Sequence, residues 1–143
     1  MNAADHCTLL HARVLIPQMV ADELKNPKAP ADVRAWIANA PDWIEVRPNP
    51  TPDRTLQLLD PGEAAALSLA EAVQADGILI DDWAGRTEAE RRHLHVTGTL
   101  GVLAEAHLAG LVDFDEALSK LRSTNFRLTP DVERLARRRL TQL

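Results

Sequence analysis

Short apolar segments of strand type alternate with longer segments of helix type, and this alternation restricts the fold more than any other feature of the sequence. Branched apolar runs and apolar–polar alternation indicate the strands. The predicted strands are "RVLIP" (13–17), "DWIEVRP" (42–48), "GILID" (77–81) and "LHVTG" (94–98). Strands separated by helices predict an α/β domain with a mostly parallel sheet. The unbroken Ile-Leu-Ile at 78–80 indicates a strand buried on both faces.

The helices are predicted from apolar spacing and from signals at their ends. Pro17 and Pro30 suit the first turn of a helix, where a missing N–H costs nothing, and Gly110 suits a helix end. The predicted helices are 17–26, 30–40, 59–75, 83–93, 99–110, 113–123 and 129–143. The segment 47–55 contains three prolines and is predicted to be a surface loop.

A chain of 143 residues is long enough for one domain with its own core, so a single domain over 1–143 is expected. No apolar run approaches the roughly 20 residues of a membrane span, and the N-terminus lacks signal-peptide character. The single cysteine, Cys7, excludes an internal disulfide and a cysteine-based zinc cluster. A cytoplasmic protein without membrane association is therefore expected.

The charge is unevenly distributed. The net charge of −5 argues against a protein that coats nucleic acid nonspecifically. Residues 120–143 nevertheless carry seven basic and two acidic side chains, against nine basic and nineteen acidic in 1–119. The basic run "ARRRL" (136–140) is typical of a solvated face, and contact with RNA phosphates or an acidic partner helix is the alternative.

The segment "ILIDDWAGR" (78–86) places two adjacent aspartates, Asp81 and Asp82, at the end of a predicted strand. Sheets of this type bind ligands beyond the carboxyl ends of their strands. Glu23 lies about two helical turns after the first strand, and Glu63 lies in the first turn of the 59–75 helix. Carboxylates that meet at one rim repel one another unless a cation joins them, and oxygen ligands select Mg²⁺ or Mn²⁺.

Each carboxylate also has an ordinary structural interpretation. "DPGE" (60–63) resembles a capping box, with Asp60 as N-cap and Glu63 reaching back to its backbone N–H. Asp82 suits the N-cap of the next helix, and Glu23 suits an exposed helix face. The combination, rather than any one residue, indicates a metal site.

Four segments together resemble the PIN-domain superfamily: "RVLIPQMVADEL", "LDPGEAAALSLA", "ILIDDWAGRTEAERRHLHVTGTLGVLAEAHLAGLV" and "LRSTNFRLTPDV". More narrowly, they are similar to small prokaryotic PIN proteins related to toxin-type ribonucleases. The resemblance implies a three-layer α/β/α fold and a nuclease in which carboxylates bind Mg²⁺ or Mn²⁺ and activate water to cut RNA. By position, it implies metal-binding and catalytic roles for Glu23, Glu63 and Asp81, with Asp82 sharing the role of Asp81.

Members of that superfamily usually begin with a strand that ends in an aspartate, the first metal ligand. This sequence begins with "NAADHCTLLHARVLIP", which resembles the helix after that strand, and Asp5 lies too far along that helix to replace the aspartate. The resemblance therefore implies a fold lacking the usual first strand, with weak metal binding and little hydrolysis. A miscalled start codon (favoured for the native gene product), a truncated gene and a strand supplied by another chain are the three explanations.

Several other residues are candidates for substrate contact. Arg86 lies one turn after Asp82, so it can pair with that carboxylate, which we favour, or contact a phosphate. Thr97 and Thr99 flank Gly98 at a strand end, where their hydroxyls can bind substrate or a metal-bound water; turn or cap duty is the alternative.

The tryptophans and histidines have simpler interpretations. Trp36, Trp43 and Trp83 are interpreted as packing anchors rather than base-stacking platforms, because nothing pairs them with a basic groove. The pair in "HLH" (93–95) has no third nitrogen ligand in reach, which argues against zinc.

The leading functional prediction is a PIN-like domain whose full-length form is a metal-dependent ribonuclease, the toxin half of a toxin–antitoxin pair, with RNA and an antitoxin protein as partners. The absence of the first metal ligand puts the activity of this chain in doubt. The alternative is a catalytically inactive PIN-like module that binds nucleic acid or protein. A phosphate-binding α/β enzyme is disfavoured because "GTLG" is too short for a phosphate loop and lacks its lysine. A homodimer or higher oligomer is expected, since loss of the first strand exposes neighbouring strand edges.

Overall fold

The computed structural model describes residues 13–124 and 126–141, so the predicted helix in 1–12 lies outside the described residues. The fold is mixed α/β and divides by its internal contacts into two compact units, residues 13–96 and residues from Thr97 onward. We call them the N-terminal unit and the C-terminal unit. Within the described ranges, no helix combines the length and apolar character needed to cross a bilayer.

The strands of the N-terminal unit form pairs. Its elements are β1 (Val14–Pro17), α1 (Gln18–Lys25), α2 (Ala31–Ala38), β2 (Ile44–Arg47), a 3-10 turn (Arg54–Leu56), α3 (Pro61–Ala72), β3 (Ile78–Leu79), α4 (Trp83–Arg91) and the first residue of β4 (Val96–Thr97), whose second residue begins the C-terminal unit. β1 and β2 are parallel, in a register that runs from Val14 opposite Ile44 to Pro17 opposite Arg47. β3 pairs with β4, and the Ile78 N–H donates to the carbonyl of His95 at 2.8 Å.

The third predicted strand is shorter and less buried than its sequence indicates. Leu79 is 61% exposed, whereas Ile80 is 7% exposed. Successive side chains of an extended segment point to opposite sides, so only one side of this segment packs against the unit. The expectation of burial on both faces is therefore wrong for Leu79.

α3 is the central element of the N-terminal unit and contacts α1, α4, β1 and β3. Its buried residues are Gly62, Ala65, Leu67, Leu69 and Ala70. At about 100° per residue these positions cover more than half of the helix circumference. Leu67 packs with Leu56 and Ala89 in the core of the unit. The small residues among these buried positions allow the neighbouring elements to approach the helix closely.

The proline-rich loop after β2 contributes to the structure of α1. Pro17, the N-cap of α1, makes no side-chain cap hydrogen bond. Instead, Oδ1 of Asn49 accepts a hydrogen bond from the Met19 N–H at 2.8 Å. A side chain 30 positions away therefore satisfies one of the free N–H groups at the start of this helix.

Arg92, directly after α4, joins three parts of the N-terminal unit. Its side chain is only 15% exposed, and it forms ion pairs with Asp53 in the loop, Glu71 on α3 and Glu88 on α4. Nη2 also donates to Oγ1 of Thr55 at 2.7 Å. The guanidinium therefore fastens the C-terminal ends of α3 and α4 to the loop.

The C-terminal unit contains α5 (Thr99–Leu108), α6 (Phe114–Arg122) and α7 (Pro130–Thr141). Its core consists of Leu100, Ala104, Phe114, Leu118 and Ala136. As predicted, Gly110 ends α5: its φ is 77°, and its N–H donates to the carbonyl of His107. The Leu111 N–H donates to the carbonyl of Ala106, which completes a Schellman motif.

Two arginines of the predicted basic run form ion pairs within this unit. Arg137 contacts Asp115 at 2.7 Å and Glu133 at 3.1 Å. Nη1 of Arg139 lies 3.4 Å from Oε1 of Glu105, which is 5% exposed. These two side chains therefore connect α7 to α6 and α5, in addition to any contact with solvent.

We expect Glu88→Gln to destabilise the protein at neutral pH. Hydrogen bonds from Arg91 and Arg92 lower the pKa of Glu88 to about 2, and such a group contributes stability above its unfolded pKa. That contribution is lost as the pH falls through about 2. Thermal unfolding should be measured from pH 7 downward. The unfolding temperatures of the two proteins should approach each other below the ordinary glutamate pKa, because the unaltered protein loses the stability that the charged Glu88 contributes.

The matched control is Glu90→Gln on the same helix, at an exposed position. It should leave the unfolding temperature nearly unchanged across the same pH range. A Glu88→Gln protein that is as stable as the unaltered chain at pH 7 would contradict the anchoring role of the Arg91 and Arg92 contacts.

Candidate functional site

Four carboxylates converge at the N-terminal ends of α3 and α4, and we call them the acidic site: Glu23, Asp60, Glu63 and Asp82. Two of them are helix caps. Oδ2 of Asp60 accepts a hydrogen bond from the Gly62 N–H at 3.1 Å, and Oδ2 of Asp82 accepts one from the Gly85 N–H at 3.2 Å. The caps fix these two aspartates at the starts of neighbouring helices.

Two glycines allow the acidic side chains to approach the helix ends. A Cβ atom at Gly62 would lie 2.9 Å from Oε1 of Glu23 and 3.3 Å from Oδ2 of Asp60. A Cβ atom at Gly85 would lie 3.5 Å from Oε2 of Glu63. The Glu23 carboxylate therefore lies against the first turn of α3, and the Glu63 carboxylate lies against the first turn of α4.

Glu63 is the electrostatic centre of the site. Its side chain is half-buried. Burial raises the pKa of Glu63 above its ordinary value, and the negative charges of Asp82, Asp60 and Glu23, in that order, raise it further. Three acidic groups therefore lie close enough to Glu63 to disfavour its charged form.

The structure brings together three of the predicted metal ligands and adds one. Glu23, Glu63 and Asp82 lie in the acidic site, and Asp60 joins them although the sequence indicated only a cap. Asp81 and Asp82 are both exposed after β3, and the charge of Asp82 raises the pKa of Glu63. The capping-box spacing carried a signal for Asp60, because an N-cap residue and the residue three positions later lie at the same helix end.

The donor chemistry of the acidic site fits a hard divalent cation. All four side chains offer only oxygen, the ligand type that Mg²⁺ and Mn²⁺ prefer. A cap hydrogen bond occupies one carboxylate oxygen and leaves the other able to bind a cation. Among the described residues, no three acidic, histidine or cysteine side chains are already arranged around a common metal position. Cation binding therefore requires these side chains to draw together.

A surface depression of about 330 Å³ adjoins Glu23. Its lining residues are Met19, Asp22, Glu23, Asn26 and Asn49. The Asn49 cap of α1 contributes directly to this wall, so the proline-rich loop shapes the surface beside the acidic site.

Arg86, a predicted substrate ligand, has a different partner from the one expected. Its Nη1 donates to the carbonyl of Ile80 at 3.1 Å instead of pairing with Asp82. This bond ties α4 to the segment before it. The remaining guanidinium N–H groups can still bind a phosphate, because arginine carries five donors.

Thr97 and Thr99 belong to the C-terminal unit. Thr97 is 7% exposed, and its Cγ2 would lie 3.2 Å from a Cβ atom at Gly101. Gly98, rather than either threonine, is the N-cap of α5, so no N-cap side chain hydrogen-bonds to the start of this helix. The substrate-binding role of the two threonines stays a prediction.

The tryptophans are more exposed than packing anchors would be. Trp36 and Trp43 are 46% and 50% exposed, and they pack on each other with ring centroids 6.4 Å apart. Trp83 is 81% exposed at the first position of α4. The packing-anchor interpretation is therefore wrong for Trp83, because the start of α4 directs this side chain into solvent.

We expect Glu63→Gln to stabilise the protein at neutral pH without divalent cations. A carboxyl whose pKa is raised on folding contributes stability at low pH and loses it as the pH rises through its folded pKa. Removing this charge should raise the unfolding temperature by about 1–2 °C at pH 7, the size of a typical like-charge pair. The difference should disappear in acid, and a destabilised Glu63→Gln protein at pH 7 would contradict the crowding of charge.

Comparison with known proteins places the chain in a family. No curated protein and no solved structure gives a significant match. The family model described as "DUF3368: PIN domain" matches residues 1–142, nearly the whole chain. PIN domains have a nuclease-like fold and in general depend on divalent metals. The mixed α/β architecture agrees with this match, and the chain belongs to the PIN-domain family.

Proposed function

We propose that the acidic site binds Mg²⁺ or Mn²⁺ and that the protein is a metal-dependent ribonuclease. The observation that carries this proposal is the raised pKa of Glu63 between three other carboxylates. Such crowding disfavours the charged form of Glu63, and a divalent cation would convert the repulsion into shared coordination. The oxygen-only donor set supports the same conclusion.

The four side chains have different parts in this proposal. Asp60 and Asp82 are held by their cap hydrogen bonds and would provide fixed oxygens. Glu63 would provide a half-buried oxygen between them, and Glu23 would reach the site from α1. A bound cation lowers the pKa of a water ligand and offsets charge on the scissile phosphate. The chain's own contribution is to keep three of these side chains at the starts of α3 and α4 and to bring Glu23 to them from α1.

A catalytically inactive binding module is the second candidate. It is favoured by the finding that, in the part of the chain that the structure describes, no three potential ligands are already arranged to hold an ion. Such a module would keep the fold and the surface without gaining stability from a cation. Thermal unfolding with and without Mn²⁺ separates the two candidates.

Three statements about biology stay predictions from the sequence: the role as a toxin, the antitoxin partner and self-association. A toxin of this type should be growth-arresting on expression and neutralised by the product of a neighbouring gene. Self-association is checked by light scattering, and a monomer at high protein concentration would contradict it.

We expect Mn²⁺ to stabilise the unaltered protein. Saturation to about 100 times the dissociation constant adds about 2.7 kcal/mol, which corresponds to roughly 5–10 °C in unfolding temperature. Glu63→Gln should abolish this gain while being the more stable protein without metal. These opposite effects of one substitution cannot arise from a general loss of folding, and thermal unfolding with and without Mn²⁺ measures both.

Asparagine substitutions separate charge from capping, because asparagine caps helices about as well as aspartate. Asp82→Asn should reduce both the Mn²⁺ gain and Mn²⁺-dependent cleavage of single-stranded RNA more strongly than Asp81→Asn. The control is Asp113→Asn, since Asp113 caps α6 by accepting from the Glu116 N–H. An unaltered protein that shows no Mn²⁺ gain and no cleavage would refute the ribonuclease and support the binding module.

A further inference from the structure

Trp83 is a large, exposed apolar side chain next in sequence to a residue of the acidic site. It is 81% exposed, and it directly follows Asp82, the cap residue that acts on Glu63. The Trp36–Trp43 pair shields part of its own surface by mutual contact, whereas Trp83 leaves most of its indole in water. Exposing this much aromatic surface forgoes the stabilisation that burial of a tryptophan normally provides.

The backbone that carries Trp83 is held firmly. The Asp82 cap fixes the start of α4, and Oγ1 of Thr87 donates to the carbonyl of Trp83 at 2.9 Å. Gly85 packs so closely on Ile80 that a Cβ atom there would overlap Cδ1 of Ile80. The indole therefore projects from a fixed point, and its ordering on binding involves only two side-chain torsions.

The position of Trp83 suits a nucleotide whose phosphate lies at the acidic site. Consecutive Cα atoms are about 3.8 Å apart, so the indole begins within one residue of a proposed cation ligand. Arg86, one helical turn further on, lies on the same side of α4 and retains N–H donors for a phosphate. An aromatic ring beside a cationic group is the combination that binds single-stranded nucleic acid.

We propose that Trp83 stacks on an unpaired RNA base next to the phosphate that the acidic site would bind. The proposal rests on the ribonuclease function proposed above. Every base has a π face, so such a contact selects unpaired strands without selecting a sequence. A base inside a duplex is covered on both faces by its neighbours and cannot stack on the indole without being extruded.

The test measures binding of a fluorescein-labelled ten-nucleotide single-stranded RNA by anisotropy, with Ca²⁺ supplied as an oxygen-binding cation. Trp83→Ala should weaken binding by about tenfold, within the range for loss of one stacked base, and Trp83→Phe should retain most of the affinity. The matched control is Leu58→Ala, which removes an apolar side chain that is 96% exposed in the same unit. It should bind as the unaltered protein does.

A series of RNAs with one abasic position each separates stacking from a structural role. At the stacked position, loss of the base should weaken binding to the unaltered protein about as much as Trp83→Ala does. The same abasic RNA should bind Trp83→Ala no more weakly than intact RNA does, because the contact is already absent. A duplex of the same sequence should bind more weakly than the single strand and should not respond to Trp83→Ala.

Three results would overturn the proposal. If Trp83→Ala binds single-stranded RNA as tightly as the unaltered protein, stacking is excluded. That conclusion holds even if the substitution disrupts self-association or the binding of a protein partner. An abasic effect that persists in Trp83→Ala places the base elsewhere. An unaltered protein that binds no RNA refutes the ribonuclease function together with the stacking, whereas the first two results leave that function standing.

Discussion

The close packing of α3 against its neighbours is the constraint on which the N-terminal unit depends. The helix contacts α1, α4, β1 and β3, and its buried positions include Gly62, Ala65 and Ala70. Small side chains let those elements approach its axis, which a helix of large residues would prevent. The same packing carries Glu23 on α1 and Asp82 on α4 to the start of α3. The acidic site is therefore a consequence of how the core is assembled.

Charge is arranged in opposite ways at the two ends of α3 and α4. Acidic residues gather at the N-terminal ends, where the helix dipoles favour negative charge, and Arg92 binds at the C-terminal ends, where they favour positive charge. The attraction around Arg92 fixes the helices about 12 Å from the repulsion around Glu63, because Glu71 lies eight residues after Glu63 on α3. This arrangement lets the protein keep a crowded acidic site without losing the alignment of the helices that form it.

The acidic site and the exposed indole together describe a surface suited to an unpaired strand. In the proposed function, the carboxylates bind a cation that contacts the phosphate, and Trp83 supplies an exposed apolar face one residue after Asp82. Neither feature contributes to the core of the unit, and each leaves a favourable interaction unmade in the free protein. Such local departures from good packing and good electrostatics are expected where a protein binds its substrate.

The sequence by itself determined the order of helices and strands, the helix ends at Gly110 and at the two aspartate caps, and the family. These follow from local periodicity and from hydrogen bonds between near neighbours, which a linear pattern records. Tertiary structure decided that Asp60 and Asp82 flank Glu63, that Asn49 caps α1, that Leu79 is exposed and that Trp83 is not a packing anchor. Those outcomes depend on which elements contact one another in space, and a residue's neighbours across the fold are not encoded by its neighbours in the chain.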